Sequence, residues 1–343
     1  MKNVLSITPS SMIDVQLISD RLKNKTILVT GGAGFIGSNL TEALLKIGAS
    51  VIVLDNLETG LQSNVDRLSH YENYRFVKGD ICNPDDYRDL LKEVDAISNQ
   101  AALGSVPRSI EFPLNTHRVN GTGFLTILHE AKQANVKRFV YASSSSVYGD
   151  SIASPKHEGQ EGKVLSPYAA TKQLNEEYGQ VYHQLHGMET IGLRYFNVFG
   201  PFQNPNGVYA AAIPKFLDKM LEGGEIVVNG DGEQSRDFTY VKNAVHANLL
   251  ALISDNVEAF GKVYNVACGR SLTLNDVINS LQAELILLGT TPKNTITYGP
   301  PRKGDIKDSL ASITRMEQYL NYKPVYTFEE GINEYLRHVL QCN

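Results

Sequence analysis

The sequence predicts a doubly wound α/β domain with a parallel sheet, joined to a smaller mixed α/β lobe. Three observations carry this expectation. Short β-branched runs alternate with longer segments of helical period through the first two hundred residues. The first of those runs stops at a glycine cluster, Gly31-Gly32-Ala33-Gly34. After Gly200 the regular alternation gives way to a turn-forming stretch, Pro201 to Gly207, and to shorter mixed elements.

Taken in order, residues 1–24 read as an amphipathic helix whose apolar stripe is Met12, Val15, Ile18 and Leu22, suited to packing on the surface of the first lobe. Strands follow at 26–30, 50–55, 74–78, 95–99, 137–143 and 190–194. Helical spacing occupies 35–47, 113–134 and 167–185. Runs of four to eight apolar residues separated by helices are the pattern of βαβ units, whose strands are buried on both faces. The expected division is an extension over 1–24, a dinucleotide-binding domain over 25–200 with later elements near 236–269, and a second lobe built from 201–235 and 270–343.

Composition narrows the class. The 343-residue chain carries 32 Lys+Arg against 37 Asp+Glu, a net charge of −5, and no long basic run, which argues against a nucleic-acid binder. No apolar stretch approaches the ~18 residues of a membrane span, and residues 1–25 lack the pattern of a secretory signal. Cys82, Cys268 and Cys342 are far apart and odd in number, so neither a disulfide framework nor a zinc site is expected, and the expected location is the reducing cytoplasm.

The first strand runs into Gly31-Gly32-Ala33-Gly34-Phe35-Ile36-Gly37, a GxxGxxG spacing between a strand and an amphipathic helix. Glycine there serves a tight turn, a close backbone approach to a pyrophosphate and close packing of helix on strand. The helix N-terminus offers unpaired N–H groups and a positive dipole end to phosphate. Asp55, followed by Asn56, closes the second strand 18 residues after Gly37. A carboxylate there accepts hydrogen bonds from both ribose hydroxyls and repels a 2′-phosphate, so NAD is expected rather than NADP. Asp80 and Ile81 end the third strand and are candidates for adenine. The small Ala101 and Ala102 end the fourth and leave room for a cofactor across the sheet edge.

The fifth strand ends in four consecutive hydroxyls, Ser143 to Ser146, at the edge where open α/β sheets bind ligands. Tyr168 and Lys172 follow at i,i+4, on one helix face. A free phenol, with a pKa of about 10, is a poor base near neutrality. A neighbouring ammonium and an oxidised nicotinamide would favour the phenolate, which then takes a proton from a sugar hydroxyl.

On these motifs the chain resembles the extended short-chain dehydrogenase/reductase superfamily, with its Rossmann fold, and within it the nucleotide-sugar 4-epimerases. The resemblance spans roughly residues 25–340. It also rests on Leu193 to Gly200, Gly230-Asp231-Gly232, Ser235 to Phe238, and Arg302-Lys303-Gly304-Asp305. The stretch Ala101 to Ser109 and the short N-terminal helix are similar to the bacterial UDP-N-acetylglucosamine 4-epimerases, which make precursors of surface polysaccharides such as lipopolysaccharide. The resemblance implies that Tyr168 removes the 4-hydroxyl proton as hydride leaves carbon 4 for tightly held NAD. The 4-keto sugar then turns over and hydride returns to its other face. Ser144 would orient the hydroxyl, Ser145 and Ser146 would touch the sugar, and Lys172 would hold the nicotinamide ribose and lower the Tyr168 pKa. Asn197, Arg236 and Arg302 would grip the diphosphate. Gly104, Ser105 and Ala211 would line the sugar pocket. Ser309, four residues after Asp305, would be the small residue near carbon 2 that admits a 2-acetamido group. A homodimer through the 113–134 and 167–185 helices is implied as well. His117, His129, His183 and His186 match no position that the family uses and are expected on solvent-facing helix surface, and Asn120 as a buried structural polar group.

Other readings differ at identifiable residues. A nucleotide-sugar dehydratase needs an Asp-Glu pair where Ser145 and Ser146 stand, and a decarboxylase needs a Glu in the same stretch. A silent NAD-binding scaffold would lack the Tyr, the Lys or the serine, all present here. A UDP-uronic acid, N-acetylated or plain, is the alternative epimerase substrate.

Overall fold

The computed structural model describes residues 9–204, 212–300 and 308–342. Its first part runs α1 (Pro9–Leu22), β1 (Thr26–Thr30), α2 (Phe35–Lys46), β2 (Ser50–Asp55), α3 (Gln62–Asp66), β3 (Tyr74–Lys78), β4 (Ala96–Asn99), α4 (Val106–Glu111), α5 (Pro113–His117), α6 (Phe124–Gln133), β5 (Arg138–Ser144), α7 (Pro167–His186) and β6 (Glu189–Tyr195). A seventh strand, Lys262–Val266, completes one sheet in the order 262–266, β6, β5, β4, β1, β2, β3, with every pairing parallel. The chain reverses direction across the sheet between β1 and β4. That is the switch point at which open α/β sheets leave a crevice at their strands' C-terminal ends.

Alternation within the strands builds two cores. Ile27, Val29, Val51, Val53, Val140 and Ile191 face α2 and a later helix, Val241–Ile253. Leu28, Ile52, Leu54, Ile97 and Phe139 face the side covered by α6, whose Ile127 and Leu128 join them. Burial on both faces is why these strands read as unbroken apolar runs. On α1, Ile18 and Leu22 are buried, and Arg21 reaches the Ile253 carbonyl at 3.1 Å and Asp255 at 2.8 Å. The side chains of Met12 and Val15 lie outside those described.

Later elements include α8 (Ala212–Glu222) and α9 (Val241–Ile253), and a parallel pair, Gly224–Asn229 with Asn294–Gly299. A third core gathers Ile213, Leu217 and Met220 of α8 with Ile226, Val228, Leu281, Ile332 and Leu336. Among the described residues no helix is long and apolar enough to cross a membrane.

The single helix expected over 113–134 is instead α5, a π-helical segment at Arg118–Gly123, and α6. Close approach explains the wide turn. A Cβ on Gly123 would lie 2.8 Å from Cys82 Sγ and 3.0 Å from Ile81, so the backbone there is pressed against the end of β3. The same segment aims the buried Asn120 at Leu103, accepting from its N–H at 2.7 Å and donating to its carbonyl at 3.2 Å.

Candidate active site

At the nucleotide end, Gly31 takes φ +67°, and a Cβ there would lie 2.6 Å from the Ala101 nitrogen. A Cβ on Gly37 would lie 2.2 Å from the Gly31 carbonyl oxygen, which makes it the close-packing glycine. Gly34 is the N-cap of α2, where a Cβ would meet the Gly31 carbonyl at 3.1 Å. Gly31, Gly34, Phe35, Ile36 and Gly37 line one cleft of about 340 Å³, which Asp55, Asn56, Asp80, Ile81, Ala101, Ala102 and Gly104 also line. A side chain at the glycines would fill or distort the cradle, so the residues present fit a dinucleotide.

Asp55 is buried at the tip of β2 and accepts from the Ala33 N–H at 3.0 Å and the Leu57 N–H at 2.8 Å. Burial raises its pKa, and these two bonds act against the rise. Asn56 turns its side-chain oxygen onto the Glu58 N–H at 3.0 Å. Asp80 borders the cleft with both oxygens engaged, one by the Cys82 N–H at 2.9 Å and the other by Arg118 at 3.1 Å. Burial alone would raise Asp80; Cys82 and Arg118 outweigh it and hold the carboxyl below its ordinary range.

At the catalytic end, α7 starts at the Ser166 cap, which accepts from the Ala169 N–H at 3.1 Å, with Pro167 as first helical residue. This start brings Tyr168 and Lys172 against the end of β5, and both line the cleft. Lys172 is buried and its Nζ donates to the Ala142 carbonyl at 2.8 Å, 5.8 Å from the Tyr168 ring centroid. Burial draws Lys172 down to about 8, opposed by Glu176. Burial also raises Tyr168, opposed by its hydrogen bond with Ser144. The expectation that Lys172 lowers the Tyr168 pKa is therefore corrected for the protein alone. Desolvation dominates, and the ammonium is turned toward a backbone carbonyl.

Ser144 caps the short helical turn Ser145–Tyr148, accepting from the Ser146 N–H at 3.2 Å. Among the described residues the buried Ser146 hydroxyl has no hydrogen-bond partner, and Ser145 is partly buried beside it. Gly104 is open: among the described residues a Cβ there would meet nothing within 4 Å. Ser105 takes φ 140° and caps α4, accepting from the Arg108 N–H at 3.1 Å.

In the second lobe, Asn197 takes φ +36° and donates to the Asp237 carbonyl at 3.0 Å, so its amide pins the strand that carries Arg236. Arg236 donates to the Ser235 carbonyl at 2.8 Å. Ser309, partly buried, is its register partner across a parallel pairing of Asp308–Ser309 with Ser235–Asp237. Ala211, Arg302 and Asp305 lie outside the described residues. His117, His129 and His186 are exposed. His183 is a correction: it is partly buried, its Nδ1 lies 2.8 Å from the Met188 carbonyl, and its ring abuts Gly261.

Several participants were not singled out in the sequence. Gln100 and Tyr195 line the cleft, and the Tyr195 hydroxyl donates to the Gln100 side-chain Oε1 at 2.9 Å. The buried Arg194 forks onto Glu176 at 2.9 and 2.7 Å. Glu176 had a legible signal, standing four residues after Lys172 and eight after Tyr168. Asp237 is fully buried, accepts from the Cys268 N–H at 2.9 Å, and is pushed up to about 6 by burial.

Glycine cradle, acid-tipped second strand and Ser–Tyr–Lys cluster, gathered at one sheet edge, define a nicotinamide-dinucleotide enzyme of the short-chain dehydrogenase/reductase type. Residues 27–267 match the NAD dependent epimerase/dehydratase family, and the chain belongs to it, with NAD as its cofactor. A putative UDP-glucose 4-epimerase of Methanocaldococcus jannaschii is 36% identical over 308 residues, covering 89% of this chain and 95% of that protein. Among solved structures, a UDP-N-acetylglucosamine 4-epimerase from Methanobrevibacter ruminantium M1, in complex with UDP-N-acetylmuramic acid, is 38% identical with a TM-score of 0.86, covering 94% and 100% of the two chains. The UDP-glucose 4-epimerase of Thermus thermophilus, in complex with NAD, is 33% identical with a TM-score of 0.81, covering 93% and 100%.

Proposed function

We propose that this chain is a 4-epimerase that interconverts UDP-N-acetylglucosamine and UDP-N-acetylgalactosamine through a 4-keto sugar. Bound NAD supplies a place for the carbon-4 hydride to go and to return from, so the cycle has no net redox. Tyr168 takes the 4-hydroxyl proton and gives it back. Ser144 holds that hydroxyl by a hydrogen bond, and Lys172 holds the ribose of the cofactor at the same edge. Arg236 grips the diphosphate, with Arg302 expected to assist, and the pair suits phosphate because guanidinium presents parallel donors.

The observation that carries the substrate choice is Ser309. It is a small, partly buried side chain in register with Arg236, and a small residue beside the sugar would admit a 2-acetamido group. The likeness to the Methanobrevibacter UDP-N-acetylglucosamine 4-epimerase supports it. Against dehydration, the carboxylates among the described cleft-lining residues are Asp55, Glu58 and Asp80, on the elements assigned to the nucleotide rather than to the sugar. A UDP-uronic acid is the second reading, favoured by the buried Ser146 hydroxyl, which has no partner among the described residues and would donate to a carbon-6 carboxylate.

The same proposal includes a homodimer. Ile110, Phe112, Leu114 and Leu185, exposed by 63%, 52%, 86% and 72%, stand on or between α4, α5 and α7, an apolar set that a second copy would cover. Incubation with UDP-N-acetylglucosamine, UDP-glucose and UDP-glucuronate, followed by NMR of the product at carbon 4, tests the substrate. Turnover of the acetamido sugar is expected; turnover confined to either of the others overturns the choice.

A further inference from the structure

Three residues of α7, at successive turns on one face, dock on three consecutive residues of β5. Tyr168 shares a hydrogen bond with Ser144, Lys172 Nζ donates to the Ala142 carbonyl at 2.8 Å, and Glu176 Oε1 accepts from the Ser143 hydroxyl. The first two belong to the chemistry already described. The third does not, and it is the most firmly held of all. Arg194, on β6 and only 3% exposed, donates from Nε to Glu176 Oε1 at 2.9 Å and from Nη2 to Oε2 at 2.7 Å. Its remaining nitrogen, Nη1, pairs with Glu161 on the loop before α7, and its guanidinium lies 4.9 Å from the Tyr148 ring centroid.

We infer that Glu176, clamped by Arg194 and Ser143, is a positioning residue that fixes both the place and the charge of Lys172. This deepens the epimerase reading and rests on it for the role of Lys172. The charges make the case. Lys172 and Arg194 are two buried cations, faced by two carboxylates, Glu176 and Glu161. Tyr168 on α7, Tyr141 on β5 and Tyr148 on the turn after it also face the cluster, all phenols whose burial keeps them neutral, and the carboxylates Glu158 and Glu177 act on Tyr148 and Tyr141 in the same sense. Removing the Glu176 charge leaves an uncompensated positive charge in a low-dielectric site. Arg194 cannot shed a proton, so Lys172 is the group that does. A neutral Lys172 no longer brings a positive charge to within 5.8 Å of the Tyr168 ring centroid. Position follows from the same contacts: the carboxylate ties α7 to β5 and β6 one turn beyond the lysine, so it sets the reach of Nζ to the strand end.

The experiment is an NMR titration of the purified protein labelled with ¹³C at lysine Cε, with Lys172→Met assigning the resonance. Wild type should titrate near 8, where burial places it. Glu176→Gln should move that midpoint down by about one unit or more, in the sense expected when a neighbouring counter-charge is lost. Glu176→Asp keeps the charge one methylene further off and should give a smaller shift in the same direction, which also provides the reading if the Gln variant fails to fold. The alkaline limb of kcat/KM should move down with the midpoint while KM for the UDP-sugar changes little; a purely structural defect would lower kcat equally at every pH. A midpoint shift supports the inference even if no UDP-sugar is turned over, an outcome that would sink the epimerase reading alone. An unchanged midpoint in both variants overturns it.

Discussion

Ser309 stands opposite Arg236 in a parallel register, so the two side chains leave the same face of a three-stranded sheet. The residue expected beside the sugar is thereby the register neighbour of the residue expected on the diphosphate.

Replacing Ser309 with tyrosine should therefore discriminate between sugars. A bulky ring in a packed site costs about 1–3 kcal/mol where it must displace something. For the acetamido sugars that displacement falls on the substrate, a loss of roughly 10–100-fold in kcat/KM. UDP-glucose and UDP-galactose, lacking the group, should lose less. Steady-state kinetics on both pairs with wild type and Ser309→Tyr decide the matter; equal losses on both would show that 309 does not border carbon 2.

Cofactor choice is tested at Asp55. Its carboxylate lies at the tip of β2 with two N–H donors already aligning it, so ribose hydroxyls would meet a preset acceptor. Denatured wild-type protein should release NAD or NADH, identified by chromatography, and not NADP. Asp55→Ser should weaken NAD binding by roughly 10–100-fold, the range of about 1.5–3 kcal/mol for hydrogen bonds to a charged group. Release of NADP from wild type would refute the assignment.

Much of this geometry was readable in the sequence because buried parallel strands leave so plain a trace. The expected strands at 26–30, 50–55 and 74–78 coincide with β1, β2 and β3; β1 and β2 are apolar runs between turn formers, whereas β3, at the sheet edge, carries Arg75 and Lys78 among Tyr74, Phe76 and Val77. The π-segment at Arg118–Gly123 was not readable, because apolar periodicity reports a helix face and not the press of Gly123 against Cys82. The Arg194–Glu176 fork was hidden for a different reason. The two residues sit on different elements, and only the pairing of β5 with β6 brings Arg194 beside Ser143. The direction of the Tyr168 shift was hidden too, because burial is a property of the packed site, whereas the i,i+4 spacing of Tyr168 and Lys172 speaks only of proximity.

Asp237 should give the protein a distinctive pH dependence. Burial lifts its folded-state pKa from 3.8 to about 6. A raised folded value means that its contribution to stability is fully present below about 4 and is lost as pH climbs through about 6. The loss approaches roughly 3 kcal/mol by linkage. Asp237→Asn has no such titration. The stability of wild type relative to Asp237→Asn, measured by denaturant unfolding at pH 4, 5, 6 and 7, should fall steadily over that span. A flat difference would mean that the carboxyl is not desolvated.

The last prediction concerns the proton. Tyr168 is the group placed to take it, and burial raises its pKa in the protein alone, so the reactive phenolate becomes populated only as pH rises or as positive charge is brought to the site. The rate should accordingly increase with pH on the acid side of the profile. Tyr168→Phe removes the hydroxyl while keeping the ring, and should lose most of the roughly 10²–10⁴-fold effect of acid–base catalysis. Ser144→Ala should cost less, because Ser144 orients the hydroxyl and does not carry the proton. It also removes the hydrogen bond that acts against burial at Tyr168, so the acid limb should move to higher pH in that variant. Rate–pH profiles of wild type, Tyr168→Phe and Ser144→Ala, each checked for retained NAD and folded-state circular dichroism, measure all three effects. Near-normal turnover by folded Tyr168→Phe would remove the tyrosine from the mechanism, and an unmoved acid limb in Ser144→Ala would separate the serine from the tyrosine's titration.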